Sequence, residues 1–259
     1  MKTLVWIAGI ALVLIGGFYA FNNYIYTEKQ GDPSMRTSTV EVIPISHASA
    51  ILVWAGVTIY MDPTGGAPAY AGKPAADIVL VTDIHSDHLS TSTLAAIVGP
   101  ETTLVVPQAV KDQLPGELAA KAQVLQNGET LADREFKIAA VPMYNLPEKD
   151  NSNFHTKGRG NGYVIGRDDT HVYVAGDTAG TPEMRALTGI DIAFIPMNLP
   201  YTMSVEEAAD AVLAFKPAKV YPYHYRGPDG LADVNKFKQL VNAGELNIEV
   251  VLADWYPKN

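Results

Sequence analysis

The chain opens on a stretch that is apolar at every position, then settles into short apolar runs broken by polar turns. Leu4 to Phe21 (LVWIAGIALVLIGGFYAF) carries no charge and follows Lys2. About 18 apolar residues are just enough to cross a hydrocarbon core as a helix. The run has no polar face, which sets it apart from an amphipathic helix of a globular body. Ala20 follows the bulky Phe18 and Tyr19, a poor cleavage context, whereas Phe18, Tyr19, Phe21, Tyr24 and Tyr26 suit a membrane–water interface. Residues 1–26 therefore read as a retained transmembrane anchor, in preference to a cleaved signal segment that would leave a secreted protein. Lys2 ahead of the run, with Glu28 and Lys29 nearly cancelling after it, puts the body outside the cytoplasm by the positive-inside bias. Residues 27–38 (TEKQGDPSMRTS) are polar with Gly and Pro and read as a linker.

From Thr39 the pattern predicts one domain, 39–259. Runs of four to six residues rich in Val and Ile predict strands at Val40–Ile45, Ile51–Trp54, Val57–Met61, Ile78–Val81, Leu104–Val106, Phe136–Val141, Tyr163–Ile165, Val172–Val174, Ile192–Ile195, Val220–Tyr223 and Ile248–Leu252. Helical patterns fall at Leu94–Val98, Met184–Leu187, Val205–Phe215 and Val234–Asn242. The third is the best signed, with a capping box in Ser204 and Glu207 and a stop at Pro217. Early strands follow one another through turns such as Ala55-Gly56, while later ones are separated by helices. That mixture points to an α/β protein with two sheets and helices outside them.

Composition narrows the chemistry. The 259 residues include no cysteine, which removes disulfides, thiolate catalysis and Cys-ligated metals together. A net charge of −9 argues against nucleic acid as a partner, since phosphate binding needs concentrated positive charge. With 47% hydrophobic residues the chain has ample material for a packed core.

The candidate chemistry lies where strands end. Directly after Ile78–Val81 comes Thr82-Asp83-Ile84-His85-Ser86-Asp87-His88, four nitrogen or oxygen ligands within six residues. Alternate residues of an extended segment point the same way, so Asp83, His85 and Asp87 can converge, and His88 joins them if a turn begins there. Helix capping accounts for one Asp or Ser at such a place but not for two His beside two Asp; the density suits a divalent metal. His155, Asp177 in Ala175-Gly176-Asp177-Thr178, and His224 in Tyr221-Pro222-Tyr223-His224-Tyr225 add ligands of the same kind, the last two at strand ends.

Taken together, these motifs resemble the metallo-β-lactamase superfamily of metal-dependent hydrolases, whose signature is H-x-H-x-D-H followed by a distal His, a bridging Asp in a G-D motif and a last His. His47-Ala48-Ser49-Ala50-Ile51-Leu52-Val53, Tyr60-Met61-Asp62-Pro63 and Tyr201-Thr202-Met203 are similar to the branch that includes the L-ascorbate-6-phosphate lactonase and the N-acylphosphatidylethanolamine-hydrolysing phospholipase D. The resemblance covers about residues 40–255 and implies a four-layer αββα sandwich with a dinuclear site at one edge of the sheets. It implies one metal held by Asp83, His85 and His155, a second by Asp87, His88 and His224, and Asp177 bridging both. The departure is Asp83, where the family has His; an oxygen ligand makes the site harder and more anionic, which lowers its preference for Zn2+ relative to Mn2+ or Fe2+ or weakens the first position, with Zn2+ still the first expectation for the two divalent ions. His155 is preferred over the Asn145 region as the distal ligand because His-Thr-x-Gly matches the family context and an Asn is a poor ligand.

Two divalent ions a few ångströms apart acidify the water between them, and the hydroxide attacks a phosphoryl or acyl centre, with Asp87 able to ligate and to orient the nucleophile. The expectation is a membrane-anchored hydrolase of phosphoesters or lactones, small or lipid-like. The rival is a membrane-displayed metal-binding or sensing module of the same fold, its first site degraded by Asp83. Gly158 to Gly162 read as a flexible turn, Arg226 as an anion contact or a surface partner of Asp229, and Asn198, Tyr201 and Tyr225 as pocket walls. His47 reads as a support behind the ligands, and His171 as exposed and idle.

Overall fold

Residues 39–148 and 154–257 are described by the computed structural model. The expected anchor and linker lie outside the described residues, among which no helix is long and apolar enough to cross a membrane.

The first sheet keeps chain order: β1 (Val40–Ser46), β2 (Ser49–Trp54), β3 (Val57–Met61), β4 (Ile78–Leu80), β5 (Thr103–Val106) and β6 (Ala122–Val124). Its first three strands are antiparallel and the rest run parallel to β3. The turn between β2 and β3 is the expected one, Ala55 and Gly56 both at positive φ (52° and 81°), as a tight hairpin of this hand requires.

The second sheet contains β7 (Thr130–Asp133), β8 (Phe136–Met143), β9 (Gly160–Arg167), β10 (Thr170–Val174), β11 (Ile192–Pro196) and β12 (Lys219–Tyr223). A small hairpin of β13 (Arg226–Gly227) and β14 (Gly230–Leu231) follows, and β15 (Glu249–Val250) closes the second sheet in the order β15-β12-β11-β10-β9-β8-β7. Strands β7 to β10 are antiparallel neighbours, while β10, β11, β12 and β15 are parallel.

Side chains alternate faces along a strand, and here both faces are covered. Leu52 and Trp54 of β2, Ile78 and Leu80 of β4 and Val105 of β5 turn inward to meet Ile138, Ile165, Val172 and Phe194 of the second sheet. Their neighbours Ile51, Val79, Leu104 and Val106 turn outward. There they meet Leu94 of α1 (Thr91–Ile97), Val110 of α2 (Gln108–Lys111) and Leu118 of α3 (Gly116–Lys121). On the far side, α4 (Pro182–Arg185), α5 (Val205–Phe215) and α6 (Val234–Ala243) cover the second sheet through Met184, Ala208, Val212, Phe215, Phe237 and Val241. The result is the expected αββα layering. Strands buried on both faces read as continuous apolar runs, not as alternation, which is why they were found by composition and not by period.

The capping box of α5 is formed: Ser204 Oγ accepts from Glu207 N (3.1 Å) and the Glu207 carboxylate accepts from Ser204 N (2.8 Å). Among the elements that sequence pattern did not predict are β6, β7, β13, β14, α2 and α3, all of two to six residues and none with a long apolar stretch. One expectation holds for Gly158, which lies in a turn at positive φ (85°), and fails beyond it. Gly160 and Gly162 are not in a flexible turn but are buried residues of β9, which begins three residues earlier than predicted.

Candidate metal centre

Every candidate ligand lies on one edge of the sandwich. Asp83 to His88 follow β4, Asp177 follows β10 and His224 follows β12, while His155 precedes β9, which runs opposite to β10. His47 sits in the turn between β1 and β2. The two sheets are laced together here by backbone and hydroxyl contacts: Asn161 N donates to Thr82 O (2.9 Å), Tyr163 Oη to Val81 O (2.9 Å) and His224 N to His47 O (3.1 Å). Three residues of this edge, His47, Asp62 and His224, hold positive φ (55°, 42° and 47°). His and Asp tolerate that region better than most residues, and such strained backbone concentrates at functional sites.

At the centre stands Asp177, buried to 3% exposure. Its Oδ2 lies 3.3 Å from His88 Nε2 and 3.2 Å from His155 Nε2, and its Oδ1 lies 3.4 Å from His224 Nε2. These contacts are close but not aligned as hydrogen bonds. Nε2 of His88, His155 and His224, together with Asp177 Oδ1, are buried and have no hydrogen-bond partner among the described residues. Buried polar atoms are almost always paired; three imidazole nitrogens and a carboxylate oxygen converging unpaired are what a divalent cation would satisfy. The residues present fit a metal. Ligand atoms fall into three sets within 4.8 Å: Asp83, His85 and His155; His88, Asp177 and His224; and His47, Asp87 and His224. Asp177 Oδ2 lies between His88 of one predicted trio and His155 of the other, while Asp87 groups with His47 and His224.

Two residues that sequence reasoning passed over hold the imidazoles in position. His88 Nδ1 lies 2.7 Å from Asp62 Oδ2, and Asp62 also accepts from Thr82 N and Thr82 Oγ1, each at 2.7 Å. His155 Nδ1 lies 2.8 Å from Asn145 Oδ1, which also accepts from His155 N at 3.0 Å. In both cases Nδ1 is turned to an acceptor oxygen and Nε2 to the centre, the arrangement that selects the metal-binding tautomer once a cation takes the place of any proton on Nε2. Asn145 is thus no ligand but the support of one. Asp62 was visible in Asp62-Pro63 at a strand end, yet nothing in the sequence paired it with His88.

The periphery corrects several expectations. His47 does more than stand behind the ligands: its Nε2 is 3.3 Å from Asp87 Oδ2, its ring is 3.8 Å from that of His224, and Nδ1 meets Tyr256 Oη at 2.6 Å. Asp87 Oδ2 is also 3.2 Å from His224 Nε2. Arg226 stacks over Tyr256, 4.1 Å from the ring centroid, as a cation–π contact. Tyr225 packs on the same Tyr256 ring, Tyr201 packs on Phe154, and Asn198 accepts from Thr202 Oγ1. His171 is buried at 5% exposure, not exposed, and lies away from the centre beside Gly166. Asp83 is wholly buried, with Oδ2 2.8 Å from His85 Nδ1 and 3.9 Å from His155 Nε2, but both its oxygens also accept from Arg159.

Electrostatics follow from this crowding. Burial alone would lower the pKa of His88, but Asp177 and Asp62 outweigh it and hold the imidazole well above its usual 6.5. Burial alone would raise the carboxylates. His224 and His88 instead hold Asp177 well below the usual range, the imidazoles of His224 and His47 close against it depress Asp87, and His85, His88 and Arg159 depress Asp83. His47 is lowered, chiefly by burial. Without a metal the centre is therefore a knot of imidazolium and carboxylates.

A cavity of about 300 Å³ opens beside His155. Asn145, Leu146, Phe154, Ala179, Pro200 and Thr202 are among its walls, with Arg185 and Glu207 at its polar side. None of the ligand candidates lines it, though Phe154 adjoins His155 in the chain and Ala179 follows Asp177 by two residues.

Comparison with known proteins agrees with this geometry. The model of the Beta-lactamase superfamily domain matches residues 42–224. The UPF0173 metal-dependent hydrolase of Pyrococcus furiosus is 31% identical over 215 residues, 78% of this chain and 92% of that protein. Its counterpart in Thermococcus onnurineus is 33% identical over 214 residues, with the same shares of 78% and 92%. Among solved structures, a chain from Parabacteroides distasonis described as a metal-dependent hydrolase superposes with a TM-score of 0.72 at 35% identity, over 82% of this chain and 92% of that one. Igni18, a metallo hydrolase of Ignicoccus hospitalis, shares the fold with a TM-score of 0.69 at 24% identity, over 83% and 95%.

Proposed function

The chain belongs to the UPF0173 metal-dependent hydrolases of the β-lactamase superfamily, and from that premise we propose that it hydrolyses a small phosphoester or lactone with two divalent ions, Zn2+ first among them. The observation that carries this reading is the convergence of the unpaired Nε2 atoms of His88, His155 and His224 on Asp177. His85 and His155, with Asp83, would hold one ion; His88, His224 and Asp87 would hold the other; Asp177 would lie between them. A divalent pair held there supplies Lewis acidity and makes water acidic enough to act as a nucleophile near neutral pH.

The chain's own residues do the rest. Asp62 and Asn145 keep the proton of His88 and His155 on Nδ1, so that both rings arrive with a lone pair forward. Asp87, with 40% of its side chain exposed, is the one carboxylate of the centre open to solvent, and its depressed pKa keeps it ionised, able to ligate and to orient the attacking water by accepting a hydrogen bond from it. The cavity beside His155 has an apolar side and offers one cation, Arg185, which is already paired with Asp210. That balance favours a neutral acyl substrate such as a lactone over a highly charged phosphomonoester.

The test is turnover of lactone, phosphodiester and phosphomonoester substrates before and after chelation. Stripping the metal should lower the rate by about a hundredfold to a thousandfold, the scale of losing a centre that stabilises transition-state charge, and Zn2+ or Mn2+ should restore it. His88→Ala should stay inactive with either ion. The rival reading, a metal-binding module without hydrolysis, draws support from the hold of Arg159 on Asp83. Tight metal with no turnover across all three classes would favour it.

A further inference from the structure

Asp83 stands where it would complete the position shared with His85 and His155, and yet its charge is already claimed. Arg159 Nε donates to Asp83 Oδ1 at 3.0 Å and Nη2 donates to Oδ2 at 2.8 Å. This is the two-pronged guanidinium–carboxylate grip, stronger and more directional than a single contact. The carboxylate is wholly buried and the arginine side chain only 20% exposed, so water does little to loosen the pair. Oδ2, the oxygen in the grip of Nη2, is also the one nearest His85 Nδ1 and His155 Nε2. One oxygen atom therefore faces a fixed positive charge on one side and a prospective metal on the other.

Arg159 is not a surface side chain that happened to fold inward. Its backbone N donates to Thr156 O (3.1 Å), and two residues later Asn161 N donates to Thr82 O (2.9 Å), which ties this stretch to the residue just before Asp83. Gly160 between them lies so close that a Cβ would come within 2.8 Å of Thr82 O. The start of β9 and the ligand loop are held as one piece, with the guanidinium built in.

The other position is different. Asp177 and Asp87 make ion pairs with histidines, and among the described residues neither meets a lysine or an arginine. His88 is backed by Asp62, whose negative charge raises the basicity of the ring. Two positions that share Asp177 thus differ in what stands behind them, an anion in one case and a cation in the other.

We propose that Arg159 makes the two metal positions unequal: the one at His88, His224, Asp87 and Asp177 fills first and tightly, and the one at Asp83, His85 and His155 fills weakly, in competition with the guanidinium for Asp83. This rests on the metal-centre reading above and adds to it an order of filling set by a residue that is not a ligand. Loading of the weak position then depends on metal supply, and a chain with one ion is the form isolated at low metal.

Isothermal titration of the metal-stripped protein with Zn2+ and with Mn2+, beside metal content after dialysis, tests this directly and needs no substrate. The parent should show two events separated by about 100-fold or more in Kd and retain about one ion per chain, the range over which residues behind a ligand shift metal affinity. Arg159→Gln keeps a hydrogen-bond donor for Asp83 but removes the charge; it should tighten the weaker event by about 10- to 100-fold and leave the tight one in place. Arg159→Lys spares Asp83 an unpaired burial but cannot grip both oxygens, and should give a smaller tightening of about threefold to tenfold. Two equal events in the parent, or a weaker event that fails to tighten in whichever variant folds, would overturn the proposal while leaving a metal centre standing. A parent that binds no ion would overturn both, and loss of the tight event in His88→Ala tells which position was read.

Discussion

Two imidazoles of the centre owe their orientation to residues that could not themselves be ligands in this geometry, and that makes the residue scale the place to test positioning apart from binding. Asp62 is buried, accepts from Thr82 N on Oδ1 and from Thr82 Oγ1 on Oδ2, and keeps a further lone pair on Oδ2 for His88 Nδ1. Asp62→Asn keeps the volume but removes the charge and puts an amide donor where an acceptor is needed. His88 is then expected to lose its preferred tautomer, and metal affinity at that position should fall by about 10- to 100-fold, read by competition with a chromogenic chelator. Asn145→Ala should do the same to the position of His155, because Asn145 Oδ1 accepts from both His155 N and Nδ1. Reversal of the two effects, Asp62 altering the weak event and Asn145 the tight one, would mean the imidazoles are shared differently from the trios drawn above. Ligand identity was legible in the sequence because His and Asp at strand ends are chemically conspicuous. The supports were not, since an Asp before a Pro and an Asn after a strand have many ordinary uses, and only the fold brings Asp62 to His88 across 26 positions.

At the scale of elements, β9 carries more of the site than its sequence suggested. Glycines at 160 and 162 resembled a loose turn because Gly is the usual mark of one; in the structure they are what allows β9 to pass close against its neighbours. A Cβ on Gly162 would lie 2.9 Å from Ala175 O and 3.0 Å from Val174 O, backbone atoms that cannot rotate away. Ala175 leads directly to Asp177. Gly162→Ala is therefore expected to cost about 1–3 kcal/mol, as overpacking of a close-packed interior does, and to lower metal retention by displacing the end of β10. Gly116→Ala, at a helix position with nothing within 4 Å of the added methyl, should be neutral or stabilising by up to about 1 kcal/mol. Urea denaturation of the two metal-free variants beside the parent separates these outcomes, and equal midpoints would refute the close approach of β9. The elements that sequence pattern found, such as β3, α5 and the capped start of α5, are those with a long apolar run or a cap. Others that it missed, such as β6, β7, α2 and α3, are held by edge pairing and by contact with a larger surface, which no local window contains.

For the molecule as a whole, metal, protons and stability are linked through one buried histidine. In the metal-free protein His88 has its pKa raised above 6.5 because Asp177 and Asp62 outweigh burial. A raised folded-state pKa contributes stability that is complete below about 6.5, the unfolded value, and is lost as pH climbs through the folded value. The carboxylates act in the opposite direction. Asp83, Asp87 and Asp177 are depressed below 3.8, so their contribution is present above that value and is lost as pH falls through their folded pKa values. The metal-free form is thus expected to be most stable in mildly acidic solution and to lose stability towards alkaline pH. Metal reverses the alkaline part, since a cation needs the lone pair on His88 Nε2 and displaces the proton that held the ring charged. Titration at pH 7 in buffers of different ionisation enthalpy should register release of about one proton per ion at the tight position, and apparent affinity should drop about tenfold for each pH unit below that. Release of no proton would mean His88 is already neutral in the metal-free protein, and that Asp62 and Asp177 are less able to hold a charge in the core than their distances of 2.7 Å and 3.3 Å from the ring imply.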